Sequence, residues 1–198
     1  MGRYLESCKS AFWKRVFENE LDYILRELRG YKNILSVGCG PAIIERGLGE
    51  NGFDVTGLDV SKEALEGAPD SIRTVVGLAE NMDFRDSSFD AVIFIASLQF
   101  VNDYKKAIRE TLRVLKPGGK ILVMLLNPDS KFFKEKRKQT DSYVNKIKHM
   151  HIYPIEKTIQ QYFVHVKSEY YLGIMGQKIF SSQDPKLASL YIIQGVKK

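Results

Sequence analysis

The chain has 198 residues, of which 44% are hydrophobic and 27% are charged, and these proportions are ordinary for a soluble globular protein. No apolar run approaches the roughly 18 residues that can span a bilayer. Two cysteines, Cys8 and Cys39, are too few for a disulfide framework. We therefore predict a single domain over 1–198 that has no membrane span and resides in the cytoplasm.

The net charge of +6 is concentrated in the last third of the chain. Residues 1–126 carry 17 Lys and Arg residues against 18 Asp and Glu residues, whereas residues 127–198 carry 13 against 6. Much of this excess lies in a basic segment over 131–148. Such a segment is usually a solvated face, although it would also suit contact with nucleic acid.

An amphipathic helix is predicted near the beginning of the chain, over residues 5–28. Its apolar residues recur at helical spacing, and Gly30 ends it. Three aromatic residues, Tyr4, Phe12 and Trp13, lie upstream of this apolar stripe. They either pack on the core or belong to a mobile cover that closes over a ligand pocket.

A strand, a glycine turn and a helix follow in close succession. The strand covers 34–37, Gly38 and Gly40 interrupt it, and Pro41 can begin the helix. The glycines let the backbone approach a ligand where a Cβ would collide. The helix N-terminus offers free N–H groups and a partial positive charge. This arrangement is typical of the site where an α/β protein holds a nucleotide-like ligand.

Strands and helices continue to alternate up to residue 126, which implies right-handed βαβ crossovers and a mostly parallel sheet. Further strands are predicted in four places: 53–59, 72–76, 90–96 and 120–126. The last third is less regular. It contains a helix over 154–163 and two late strands, 164–173 and 189–196, which we interpret as an antiparallel pair.

Asp59 ends the second strand and lies 21 positions after Gly38. A carboxylate about 20 residues beyond a glycine turn is placed to accept both hydroxyls of a ribose. Two cofactor classes fit this pair of features. A dinucleotide fold would require a third glycine where Ile43 stands, whereas the small Ala42 favours the glycine spacing of a methyltransferase.

Five short motifs occur in order along residues 30–126. They are Val37-Gly38-Cys39-Gly40, Gly57-Leu58-Asp59-Val60-Ser61, Ala79-Glu80-Asn81-Met82, Asp86-Ser87-Ser88-Phe89-Asp90-Ala91-Val92 and Leu115-Lys116-Pro117-Gly118-Gly119. Together they resemble the class I S-adenosylmethionine-dependent methyltransferases, in the branch similar to the quinone-biosynthesis enzymes. The resemblance implies an α/β, Rossmann-like, doubly wound sheet of seven strands, mostly parallel with an antiparallel last strand. It also implies S-adenosylmethionine as the cofactor and S-adenosylhomocysteine as the product.

The resemblance divides the single domain into three parts: a helical cover (1–30), a cofactor-binding core (31–126), and divergent acceptor-side helices and late strands (127–198). The implied cofactor-binding residues are Ser36, Gly38, Cys39, Gly40, Asp59, Val60, Leu78, Ala79, Glu80, Ile95, Ala96 and Ser97. Among them, the glycines would line the methionine half, Asp59 would bind the ribose, and the Ala79 N–H would meet the adenine ring. Residues 95–97 would form the wall near the sulfonium.

Two positions depart from the family pattern. The family usually has an acidic residue where Ser36 stands, and an Asp that accepts from the adenine amino group where Leu78 stands. Leu78 could pack on the adenine face instead, and Glu80 or Asn81 could supply the contact to the adenine edge.

Methyl transfer from a sulfonium is an in-line displacement, in which positioning alone can supply about 7–11 kcal/mol. A base is needed only if the acceptor must lose a proton. The candidate bases are His149, His151, Tyr143 and Tyr153, and no catalytic residue is assigned. No metal site is expected, because His149 and His151 have no cluster of cysteines or carboxylates near them in the sequence.

Three interpretations of the function remain. The leading one is methyl transfer to a small-molecule acceptor. An RNA methyltransferase is the alternative suggested by the basic segment 131–148, with nucleic acid as the less favoured partner. A cofactor-binding protein without catalysis is suggested by Ser36 and Leu78. The sequence leaves the acceptor and the oligomeric state open.

Overall fold

The computed structural model describes residues 10–198, so that Tyr4, Cys8 and the first residues of the predicted first helix lie outside the described part. In this part, the α-helices are α1 (Ala11–Glu27), α2 (Ile43–Glu50), α3 (Lys62–Leu65), α4 (Tyr104–Val114), α5 (Lys131–Arg137) and α6 (Ile152–Tyr162). The strands are β1 (Asn33–Val37), β2 (Asp54–Asp59), β3 (Arg73–Val76), β4 (Phe89–Ile95), β5 (Leu115–Leu126), β6 (Phe163–Met175), β7 (Lys178–Phe180) and β8 (Ala188–Lys197). Two short 3-10 helices cover Leu98–Phe100 and Tyr143–Lys146.

All of these strands form one sheet, in the order β3-β2-β1-β4-β5-β8-β6-β7. Strands β1 to β5 pair in parallel, and β8 is antiparallel to both β5 and β6. The α/β Rossmann-like prediction is therefore confirmed, as is the antiparallel last strand. The predicted number of seven strands is wrong, because the sheet has eight.

The additional strand is β7, which pairs with the end of β6 through a hairpin whose two loop residues are Gly176 and Gln177. Gly176 has φ +59°, and a glycine at the first loop position is typical of such a turn. Gly173 of β6 lies beneath the ring of Phe180, where a Cβ would come within 2.4 Å of the ring. A strand of three residues is too short to show an alternating pattern, so the sequence analysis missed it.

Strand β5 begins at Leu115, five residues before the predicted start, because Leu115 pairs with Phe89 at the base of β4. The register then shifts across 116–119, where Gly118 takes φ +74°. From Lys120 the strand is almost wholly buried, as expected for a strand covered on both faces.

Both faces of the sheet are covered by helices. Neighbouring residues of a strand point to opposite faces, so each buried strand contributes to both cores. Ile34 of β1 packs in one core cluster with residues of α1 and α2, whereas Leu35 packs in the other with residues of α4 and α6. The strand order reverses between β1 and β4, and an open α/β sheet binds ligands at the carboxyl ends of its strands beside such a reversal. In the described residues, no helix is long and apolar enough to cross a membrane.

Candidate active site

A cavity of about 590 Å³ opens at the carboxyl ends of β1, β2 and β4, and its size is ordinary for a small-molecule site. The structure brings the predicted cofactor-binding residues together along this cavity, with the exception of Ser36. Those that line it are Gly38, Cys39, Gly40, Asp59, Val60, Leu78, Ala79, Glu80, Ile95, Ala96 and Ser97. We call this part of the cavity the cofactor side.

The glycine turn brings the ends of β1 and β4 into close contact. Gly38 has φ +76°, and a Cβ on it would lie 2.4 Å from the Cβ of Ser97. The Ser97 hydroxyl donates to the carbonyl of Val37, which fixes the two strand ends to each other. A side chain at position 38 would therefore be strained by the backbone and would overlap with β4.

Asp59 connects the end of β2 to the glycine turn. Its Oδ2 accepts from the N–H of Gly40 at 2.8 Å, and its Oδ1 accepts from the N–H of Ser61 at 2.8 Å. A carboxylate oxygen has more than one lone-pair site, so both oxygens can accept a further hydrogen bond. The side chain holds the loop in place and still offers acceptors to the cavity.

Two large apolar side chains on the cofactor side face solvent. Val60 is 67% exposed and Leu78 is 47% exposed, and both line the cavity. Exposed apolar groups that converge on a cavity indicate a ligand with an apolar face. Glu80 also lines it, but its Oε1 accepts from the N–H groups of Asn102 and Asp103, at the loop that leads into α4.

Glu45 brings a carboxyl group to the cavity from α2, and the sequence analysis did not identify it. Ser36 is 1% exposed, and its hydroxyl donates to Glu45 Oε1. Glu45 is itself 2% exposed. Burial raises the pKa of Glu45 to about 7, although the Ser36 hydrogen bond opposes this rise. The family usually has an acidic residue at the position of Ser36. In this chain Glu45 of α2, which Ser36 contacts, brings a carboxyl group close to that position.

Cys39 is not prepared to act as a nucleophile. Burial raises the pKa of its thiol, and the charges of Glu45 and Asp59 raise it further. The Sγ lies over Gly57 of β2, where a Cβ would come within 2.6 Å of it. The thiol is therefore protonated and serves as packing at the base of the glycine turn.

The opposite part of the cavity is formed by α1, α5 and the 3-10 helices Leu98–Phe100 and Tyr143–Lys146, and we call it the acceptor wall. Polar side chains such as Lys136 and Asp141 line it beside five rings, which are Trp13, Phe17, Phe100, Phe132 and Tyr143. The ring of Trp13 lies 5.9 Å from that of Phe17 and 6.2 Å from that of Phe132. Phe12 packs behind this wall against Phe132 at 6.5 Å.

Of the four candidate bases, only Tyr143 lines the cavity. His149 Nε2 lies 2.9 Å from the carbonyl oxygen of Val101, and its ring packs against Tyr104. His151 occupies the N-cap position of α6 and is exposed. Tyr153 is 66% exposed, with the Lys157 ammonium over its ring.

A second carboxyl group, that of Glu20 on α1, also lines the cavity and was not identified from the sequence. Glu20 is 6% exposed, and burial raises its pKa to about 8. It lies between Phe17 and Leu21 of the amphipathic helix, on the same buried face as Val16 and Ile24. A charged residue on the apolar face of a helix was the available signal.

Comparison with known proteins identifies a methyltransferase domain in this chain. Residues 35–123 match a family model described as a methyltransferase domain. The chain is 34% identical over 123 residues to a ubiquinone biosynthesis O-methyltransferase of Alkalilimnicola ehrlichii, covering 57% of this chain and 50% of that protein. It is 40% identical over 96 residues to a demethylmenaquinone methyltransferase of Renibacterium salmoninarum, covering 46% and 40%. The chain thus spans half the length or less of these two relatives.

Solved structures share the fold across nearly the whole chain. A methyltransferase of Thermotoga maritima, described as a possible histamine N-methyltransferase, superposes with a TM-score of 0.83 at 19% identity and covers 100% of this chain and 95% of its own. A methyltransferase of Archaeoglobus fulgidus superposes with a TM-score of 0.80 at 15% identity and covers 98% of both chains. The family model, the strand order and the five motifs agree, so that residues 35–123 form a methyltransferase domain whose fold resembles that of S-adenosylmethionine-dependent methyltransferases.

Proposed function

We propose that this protein transfers a methyl group from S-adenosylmethionine to a small-molecule acceptor. The observation that carries the proposal is that one cavity has the predicted cofactor residues on one side and an aromatic wall on the other. In this proposal 31–126 holds the cofactor, whereas α1 and 127–198 enclose the acceptor. The chain remains a single domain in this scheme.

The residues of the cofactor side fit the chemical groups of S-adenosylmethionine. Gly38 and Gly40 would allow the methionine half to approach the backbone, and Asp59 would accept the ribose hydroxyls. The exposed side chains of Val60 and Leu78 would cover the adenine faces. Glu45 would pair with the α-ammonium group of the methionine half, which keeps its carboxylate ionised.

When bound, the cofactor supplies an electrophilic methyl group on a positively charged sulfur. The contribution of the chain is then to hold the acceptor in line with that methyl group and to exclude water. The acceptor wall suits both tasks, because its rings are packed on one another and define a rigid surface. Cys39 takes no part as a nucleophile, because its thiol stays protonated.

The size of the acceptor is inferred from the cavity. Its volume of about 590 Å³ suits a small molecule, and its lining includes rings from α1, α5 and both 3-10 helices. The relatives named above differ in acceptor: two are named for quinone biosynthesis and one is described as a possible histamine N-methyltransferase. Their names support a small acceptor and leave its reactive atom undecided.

A transfer assay with radiolabelled S-adenosylmethionine tests the proposal. The acceptors are a panel of catechols, phenols, primary amines and carboxylates, with total RNA as the competing substrate. We expect transfer to one small-molecule class and none to RNA. RNA labelling that falls steeply with salt, without turnover on any small acceptor, would replace this proposal by the RNA alternative.

A further inference from the structure

Glu20 is a buried carboxyl group of the cavity that the methyltransferase scheme has not used. It lies on the same face of α1 as Trp13, Val16 and Phe17, and all four side chains line the cavity. Burial raises the pKa of its carboxyl group to about 8. Ionising a largely buried carboxyl group is unfavourable unless a cation lies beside it, so a cationic ligand in the cavity would stabilise the charged form.

The electrostatic surroundings separate Glu20 from Glu45. Glu45 interacts with Cys39 and Asp59, on the cofactor side. Glu20 instead interacts with Tyr171 of β6, whose pKa is raised mainly by burial and further by nearby carboxylates, Glu20 among them. The two carboxyl groups therefore lie in different parts of the cavity, with Glu20 between α1 and the antiparallel end of the sheet.

The surroundings of Glu20 suit a cation. Aromatic faces attract ammonium groups, with about 0.5–2 kcal/mol for each well-placed ring, and a carboxylate supplies the counter-charge. The Lys136 ammonium lies 5.7 Å from the centre of the Phe132 ring, so an aromatic face of this wall already holds one such group at the cavity rim. Burial keeps Glu20 protonated near pH 7, and a bound ammonium ion would supply the counter-charge that lets it ionise.

We propose that the acceptor is a small amine, bound as its ammonium ion with the Glu20 carboxylate as counter-ion and the rings of Trp13 and Phe17 beside it. The inference rests on the proposed methyl transfer and names the acceptor class for the same cavity. Tyr171 is the titratable group that faces Glu20 from β6, and the cavity is also lined by the carboxyl groups of Glu45, Asp59, Glu80 and Asp141.

The same carboxylate would prepare the amine for reaction. One proton passes from the ammonium group to Glu20, which leaves a lone pair on nitrogen. That lone pair forms the new bond to the methyl carbon, while the electron pair of the broken carbon–sulfur bond stays on the sulfur. The product is a protonated secondary amine, and Glu20 returns its proton to solvent.

Calorimetric titration tests the inference without turnover. The protein is saturated with S-adenosylhomocysteine and titrated with 2-phenylethylamine or with its neutral analogue 2-phenylethanol. We expect the amine to bind at least about 10-fold more tightly than the alcohol, and Glu20→Gln to abolish that preference. Glu18→Gln, on the exposed face of the same helix, is the matched control and should leave it unchanged.

Proton release gives a second measurement. At pH 7 the buried Glu20 is largely protonated when the acceptor site is empty, so binding an ammonium ion should release close to one proton to the buffer. Titrations in buffers of different ionisation enthalpy measure this number. We expect the release to persist in Glu18→Gln and to disappear in Glu20→Gln.

Several outcomes would overturn the inference. Weaker S-adenosylhomocysteine binding by folded Glu20→Gln would assign Glu20 to the ammonium group of the cofactor. Tighter binding of 4-methylcatechol than of the amine would assign it to a phenolic acceptor, and the proposed methyl transfer would survive. If the wild-type protein bound neither S-adenosylmethionine nor S-adenosylhomocysteine, the proposed function itself would fail.

Discussion

The cofactor side and the acceptor wall are built in different ways. On the cofactor side the polar side chains are already bonded to the protein: Asp59 to Gly40 and Ser61, and Glu80 to Asn102 and Asp103. The acceptor wall instead presents five packed rings to the cavity, and the Glu20 carboxyl group is buried beside them. The cofactor side is thus preorganised by hydrogen bonds between neighbouring loops, whereas the wall is held by ring packing between distant segments.

This difference predicts which property each kind of variant should change. Changes on the cofactor side should disturb the backbone as well as the ligand, because the same groups serve both. Changes on the acceptor wall should alter ligand preference while the fold persists. The four predictions below are ordered from the largest expected effect to the smallest.

The largest effect is expected at Gly38. Gly38 and Gly40 both have positive φ, but an added Cβ overlaps with Ser97 only at Gly38, since nothing lies within 4 Å at Gly40. We expect Gly38→Ala to lower the free energy of unfolding by about 3 kcal/mol or more, and Gly40→Ala by about 1 kcal/mol. Urea denaturation measures both. Equal losses would mean that backbone strain alone, without the contact to β4, decides the effect.

Asp59→Ala should mainly weaken the binding of the cofactor. Removal of two charge-assisted hydrogen bonds, each worth about 1.5–3 kcal/mol, should lower the affinity for S-adenosylmethionine at least about 100-fold. Asp54→Ala, at the exposed opposite end of β2, is the control and should leave the affinity unchanged. Calorimetry provides the measurement. An unaltered affinity in folded Asp59→Ala would place the ribose elsewhere.

Glu20 should make stability depend on pH. Its pKa is about 8 in the folded protein against a model value of 4.5, so the folded state keeps the proton over this range. Stability is therefore full below about pH 4.5 and is lost as the pH rises through about 8. Between about pH 5 and 8 the wild-type protein should lose at least about 1.4 kcal/mol more than Glu20→Gln.

Urea denaturation at a series of pH values measures this difference. Glu45 titrates in the same range but is present in both proteins, so its contribution cancels in the comparison. Parallel pH profiles for the two proteins would show that Glu20 is solvated in solution.

The smallest effect is expected for the fluorescence of Trp13, the single tryptophan of the chain. Trp13 lines the cavity, and we predict that α1 belongs to a cover that responds to the ligand. Addition of S-adenosylmethionine should change its emission or its quenching by iodide. Unchanged emission and quenching would favour simple core packing of α1.

Much of the cofactor side could be predicted from the sequence, because its information is local. A buried apolar run followed by Gly38 and Gly40 predicts a strand and a turn within a few residues. The position of Asp59 at the end of β2 follows from its distance of 21 residues from Gly38, since a βαβ unit has a nearly constant length. Strands β1 to β4 were found within a few residues of their observed bounds for the same reason.

The acceptor wall could not be predicted in this way. Its rings come from α1, α5 and both 3-10 helices, and no periodic pattern links segments so far apart in the chain. The sequence analysis placed Trp13 in the helical cover (1–30) and Tyr143 in the acceptor-side part (127–198), and both line the cavity. Tyr153 of the same acceptor-side part is 66% exposed and does not line it, and Tyr4 lies outside the described residues.

The sequence by itself predicted the parallel half of the sheet and the position of Asp59, because these depend on short-range spacing and hydrophobic periodicity, and its five motifs carried the resemblance to methyltransferases. Tertiary structure alone decided the eighth strand, the pairing of Ser36 with Glu45, and the burial of Glu20. Each of these depends on which surfaces meet. The pKa of a carboxyl group is set by that packing, so the two groups most relevant to ligand charge emerged only from the folded chain.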